Sequence, residues 1–154
     1  MPKLNEEIYL VAALRTPIGK FGGALASMTA PQLGVASAKA TIERSGIDPN
    51  AIDEVIFGNA RQAGVGPNVA RQIAVKSGLR HEVPAYTVNQ ACGSGLRAIM
   101  NAADQIRLGQ ANVRPRGRAR EPARCVLFVH FAGLQIHHVN VRLADVEELR
   151  DVLG

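Results

Sequence analysis

The segment Val88-Asn89-Gln90-Ala91-Cys92-Gly93-Ser94-Gly95-Leu96 places a thiol where an apolar run, Ala85-Tyr86-Thr87-Val88, ends and a helix-like run begins. A thiol at a helix N-terminus feels the partial positive charge of unpaired backbone N–H groups, which favours the nucleophilic thiolate. The same N–H groups stabilise the oxyanion that forms when a thiolate attacks a carbonyl. Gly93 and Gly95 lack side chains and keep the approach open. This spacing suits covalent acyl chemistry on Cys92. It equally suits a packed, inert cysteine at a Gly-rich helix start, because free cysteines are among the most often buried residues.

The other candidates for chemistry are weaker. Cys125 is far from Cys92 in sequence, which gives neither a disulfide framework nor the C-x-x-C spacing of a zinc site and fits a reduced, cytoplasmic setting. Gly19-Lys20-Phe21-Gly22-Gly23 lacks the Ser or Thr that follows the lysine of a phosphate-cradling loop. His81 reads as a solvated loop residue, and the His137-His138 pair, like His130, has no third ligand at metal-binding spacing. No apolar run approaches the roughly 18 residues of a membrane span, so no membrane partner is expected.

Charge is localised. The chain of 154 residues carries a formal +5. Residues 1–113 contribute +3, residues 114–124 contribute +4 through five arginines against Glu121, and the last thirty residues contribute −2. Clustered arginines neutralise phosphates, but no aromatic residue is interleaved, and Pro115 and Pro122 interrupt the block. A solvated linker over 112–124 is the reading, with no nucleic-acid partner.

The elements that must position Cys92 follow from periodicity. Ile8 to Leu14 reads as a buried strand, Ile52 to Ala60 as a second and Ala85 to Asn89 as a third. Helices are predicted from Pro31 to Gly46, from about Asn68 to near Gly78, and from Gly93 to Leu108, closing at Gly109. This order predicts an α/β layer structure with parallel strands joined by right-handed crossovers, and puts Cys92 at the carboxyl end of a strand, where open α/β sheets bind ligands.

Several segments together carry a resemblance. They are Val11 to Gly23 (VAALRTPIGKFGG), Val55-Ile56-Phe57-Gly58-Asn59, Gln62-Ala63-Gly64 with Asn68 and Ala70-Arg71-Gln72, and the Cys92 stretch. In register from about Ile8 to Ala111, the chain resembles the N-terminal part of thiolases of the acetyl-CoA acetyltransferase type. The segment from Arg15 to Gly23 and the Asn-Gln-Ala-Cys-Gly-Ser-Gly context favour thiolase over the related ketoacyl synthases.

The resemblance implies a βαβαβα layer, residues 1–111, broken off before a fourth strand. It implies an acyl-thioester on Cys92, with acyl-CoA and CoA as substrates and no cofactor. The chemistry is thiolysis of a 3-ketoacyl-CoA or condensation of two acetyl-CoA molecules, in a family that forms oligomers. Arg15, Asn68 and Arg71 match positions read as joints between strand ends and loops, and Asn89 and Gln90 as loop and interface residues.

Beyond Ala111 the match ends. The family's activating histidine, its second cysteine and its Asn-held water with another histidine match no residue here, since no His precedes Pro and Val-Leu-Phe follows Cys125. Codons exist for Arg114 to Arg118 that, read one base later, spell Asp-Leu-Val-Val-Ala, so an out-of-frame origin is expected for the tail. The resemblance also puts the first strand at the centre of a five-stranded sheet, here lacking a neighbour. In the tail, 125–154, Cys125 to Phe131 is apolar and β-rich enough to fill that place, and Val139 to Leu153 reads as a short amphipathic helix upon it.

Overall fold

Apolar runs and helical periods alternate through the first hundred residues, and the elements do the same. The computed structural model describes residues 8–108, 125–131 and 140–144. Strands β1 (Tyr9–Leu14), β2 (Ile52–Asn59) and β3 (Ala85–Val88) alternate with helices α1 (Ala30–Ser45), α2 (Val69–Lys76) and α3 (Ser94–Leu108). This is the expected α/β order.

Local chemistry sets the ends. Thr29 and Gln32 form a reciprocal capping box at the start of α1, with the Thr29 N–H donating to Gln32 Oε1 at 2.8 Å. Gly46 ends the helix at φ +67, a left-handed conformation that costs glycine nothing. A 3-10 turn over Pro49–Ala51 follows, capped by Asp48.

Strand β2 is the core strand. Val55, Ile56 and Phe57 are all fully buried, as befits a strand covered on both faces. Val55 and Phe57 pack among Leu33 and Ala38 of α1 and Val69, Ile73 and Ala74 of α2. Ile56 faces the opposite way, onto Ala98, Ala102 and Ile106 of α3. Each such side chain contributes about 1.5–3 kcal/mol through burial. Small residues on the buried stripe of α3 bring that helix close to the sheet.

The sheet order is β1-β5-β4-β2-β3, where β4 is Cys125–Phe131 and β5 is Asn140–Ala144. Strands β3 and β4 flank β2 in parallel, while β5 pairs antiparallel with both β4 and β1. Strands β1 to β4 therefore run in one direction and share one carboxyl edge.

Strands β1, β2 and β3 run parallel as expected, and β5, from the tail, is reversed. Three expectations change. The helix expected over Val139–Leu153 is a strand at Asn140–Ala144, where Val141 and Leu143 alternate about Arg142 with the period of a strand. Strand β1 is neither central nor buried throughout: it lies at the sheet edge against β5, with Leu10 58 % exposed. Cys125–Phe131 is a strand, but it lies between β2 and β5 and does not fill the place expected beside the first strand, which β5 takes instead. The Arg/Pro-rich segment 112–124, the closure at Gly109 and the remainder of the tail helix lie outside the described residues.

Candidate active site

The site is built on the carboxyl edge of the β2–β3 pair. The two strands are in parallel register through Gly58 opposite Val88. Past that register the chains stay tied, since Asn89 Nδ2 donates to the Ala60 carbonyl at 3.2 Å. From Asn89 the chain must turn into α3 within four residues. It does so with Ala91 at φ +47, a left-handed conformation that is uncommon for a residue other than glycine.

Side chains on both sides hold this turn. The Asn89 Oδ1 accepts from the Ala91 N–H at 3.1 Å. The Ser94 hydroxyl accepts from the Gln90 N–H at 2.9 Å and donates to the Ala91 carbonyl at 2.7 Å. Backbone bonds from Gly93 N–H to the Gln90 carbonyl, 2.9 Å, and from Ser94 N–H to the Ala91 carbonyl, 3.2 Å, complete it. Cys92 lies at the crest, exposed and not in a disulfide.

Underneath, Gly58 makes room. A Cβ there would meet the Ser94 carbonyl carbon at 2.6 Å, its oxygen at 2.7 Å and the Gly95 nitrogen at 2.7 Å. Backbone rests on backbone, so any side chain at Gly58 pushes the start of α3 off the sheet. Gly93, expected to permit close approach, has a milder role, with the nearest atom 3.3 Å from its notional Cβ. Gly95 is buried in the first turn of α3.

The neighbouring turn accounts for the expected joints. Asn68, at φ +39, caps α2 by accepting from the Arg71 N–H. Its Nδ2 donates to the Ala85 carbonyl at 2.8 Å, and Thr87 Oγ1 donates to its Oδ1 at 3.0 Å. Arg71 donates to the carbonyls of Val83, 2.9 Å, and His81, 2.7 Å, which ties α2 to the approach of β3. His81 itself is exposed in a turn. Among the described residues Arg15 does not join distant segments: its side chain donates to the carbonyl of the adjacent Thr16.

Titratable groups with displaced equilibria stand apart from Cys92. Partial burial raises the Glu54 carboxyl above its ordinary value of 4.5. Burial also raises the Tyr86 hydroxyl; a hydrogen bond with Asn101 opposes this, and the Glu54 charge adds to it. Among the described residues, no group of His, Cys, Asp or Glu side chains is arranged to hold a metal. No helix among them is long and apolar enough to cross a membrane.

Sequence reasoning missed Ser94 and Gly58. A glycine inside an apolar strand is itself a sign of close backbone approach, so Gly58 carried a readable signal. Ser94 carried none, because its partners exist only once Ala91 adopts its left-handed conformation.

The comparisons with known proteins fall on these same elements. The family described as Thiolase, N-terminal domain, matches residues 8–114. An acetyl-CoA acetyltransferase of Cupriavidus necator is 50% identical over 107 residues, 70% of this chain and 27% of that protein. One from Escherichia coli is 53% identical over 102 residues, 66% of this chain and 26% of that protein. The solved acetyl-CoA acetyltransferase of Syntrophomonas wolfei superposes with a TM-score of 0.70 at 35% identity, covering 80% of this chain and 28% of that one. The chain thus spans about a quarter of the length of the relatives it matches. With the matched region holding every element from β1 to α3, the chain belongs to the thiolase family, to whose N-terminal domain it corresponds.

Proposed function

We propose that Cys92 is the acyl acceptor of an acetyl-CoA acetyltransferase of the thiolase type. One observation carries the reading: in a chain of this family, Cys92 is exposed on a side-chain-braced turn between β3 and α3, at the carboxyl edge of the sheet. In the reaction the Cys92 sulfur bonds to the thioester carbonyl carbon, the carbon–sulfur bond to CoA breaks, and CoA leaves as a thiolate that takes up a proton. Sulfur suits the step because it is both nucleophile and leaving group. In this scheme the Cys92 backbone N–H, at the turn into α3, serves as an oxyanion donor. CoA is a substrate in this scheme, and a reducing, cytoplasmic setting keeps the thiol free.

Acyl capture is the step that Cys92 itself carries in this reading. Incubation with acetyl-CoA followed by intact-mass spectrometry tests it. One acetyl group per chain, absent from Cys92→Ser, is expected. Labelling that persists in Cys92→Ser, or no labelling at all, rejects it.

A second reading has its own observation. Leu96, 65 % exposed, and Met100 lie one turn apart on α3, outside its buried stripe. Such a face suits a non-enzymatic module that associates with a second copy or with an intact thiolase. Size-exclusion chromatography with light scattering, with and without a co-expressed thiolase, discriminates; a monomer that ignores both rejects this reading.

A further inference from the structure

We propose that Ser94 is the positioning residue that holds Cys92 in its displayed conformation. The inference rests on the reading of Cys92 as acyl acceptor and adds to it a residue that never touches the acyl group. Ala91 has no side-chain polar group with which to stabilise a left-handed backbone, and that conformation costs an alanine free energy that glycine does not lose. The compensation comes from Ser94. Its hydroxyl uses its donor on the Ala91 carbonyl and one acceptor site on the Gln90 N–H, bridging the Asn89–Gln90 and Ala91–Cys92 peptide units that bracket Gln90 and Ala91. Ser94 is fully buried, and its backbone rests against Gly58 of β2, so the bridge is anchored to the sheet. Asn89 braces the same turn from the exposed side, between the Ala60 carbonyl and the Ala91 N–H.

Without the Ser94 hydroxyl, Ala91 is free to leave the left-handed region, and the displayed conformation is populated only part of the time. A step that needs that conformation slows by the lost fraction. The test uses p-nitrophenyl acetate, a small activated ester that requires no CoA contacts, on the full chain. The Cys92 sulfur bonds to the acetyl carbon, the ester carbon–oxygen bond breaks, p-nitrophenolate leaves, and the thiol proton passes to solvent. Release of p-nitrophenolate gives the single-turnover rate, and peptide mass mapping assigns the acetyl group to Cys92.

Ser94→Ala is expected to slow acylation of Cys92 about fivefold, the factor that one ordinary hydrogen bond is worth. Adding Ala91→Gly, which removes the strain the hydroxyl offsets, is expected to restore most of the rate in the double variant. A residue that only packed would not be rescued in this way. An unchanged rate in Ser94→Ala, or a loss that Ala91→Gly leaves untouched, overturns the proposal. If Ser94→Ala loses its cooperative unfolding transition, Asn89→Ala, at an exposed position, carries the test: slowing rescued by Ala91→Gly supports the proposal and an unchanged rate overturns it. The two readings fail separately. Absence of labelling by acetyl-CoA alongside the expected p-nitrophenyl acetate series removes only the acetyl-CoA reading, whereas labelling by acetyl-CoA alongside an indifferent series removes only the role of Ser94.

Discussion

Two strand-to-helix connections flank β3, one leading from β2 into α2 and tied to β3 through Asn68, the other leading from β3 into α3. Each contains a residue other than glycine in the left-handed region, Asn68 at φ +39 and Ala91 at φ +47. In the first turn the left-handed residue is its own brace. The Asn68 carboxamide caps α2 and reaches both Ala85 and Thr87 of β3, and asparagine tolerates this backbone better than most residues. In the second turn the left-handed residue is mute, and the bracing comes from Asn89 and Ser94 on either side. The difference decides what each turn does. Where the strained residue supplies the hydrogen bonds, the turn is a joint; where its neighbours supply them, the crest is left for Cys92.

This contrast predicts four measurements. Gly58→Ala is expected to have the largest effect, about 3 kcal/mol lost, because its Cβ overlaps backbone atoms of α3 rather than a side chain that can swing away. Urea denaturation gives the value; a loss below that of an ordinary surface substitution would mean that α3 is not seated on β2. Asn68→Ala removes a cap and two ties to β3, and should cost about 2 kcal/mol while leaving the rate of Cys92 acylation unchanged. A slower acylation in that variant would show that the two turns are one unit.

Ala91→Gly should stabilise the fold by about 1 kcal/mol in thermal unfolding, since the native backbone there suits glycine. A destabilised variant would contradict the account of strain at Ala91. The smallest effect is expected under α3, at Glu54. Its folded-state equilibrium is raised by burial, so its contribution is fully present below the ordinary value of 4.5 and is lost as pH rises through the raised folded value. Stability should therefore fall over the window just above 4.5, and Glu54→Gln should flatten that part of the profile. An unaltered profile would separate Glu54 from the packing of α3.

Much of this was legible in the residues. The helix read from Pro31 and ended by Gly46, the apolar run of β2 and the start of α2 near Asn68 are local matters, decided by periodicity and by side chains within a few positions of one another. Cys92 at a strand-to-helix turn was also readable, because an apolar run, two glycines and a helical period meet there. The tail was read less well. Val141 and Leu143 are compatible with either period over so short a span, and the pairing of β5 between β1 and β4 depends on partners far away in the chain.

The sequence by itself determined the family, the order of the first six elements and the placement of Cys92 at a strand-to-helix turn, because each rests on local pattern or on matched segments in register. Only the tertiary structure decided which strands are neighbours, why Gly58 must lack a side chain, and how Ser94 and Asn89 hold an alanine in a left-handed turn. Those depend on backbones that meet across the sheet edge and on hydrogen bonds that exist only once the chain has turned.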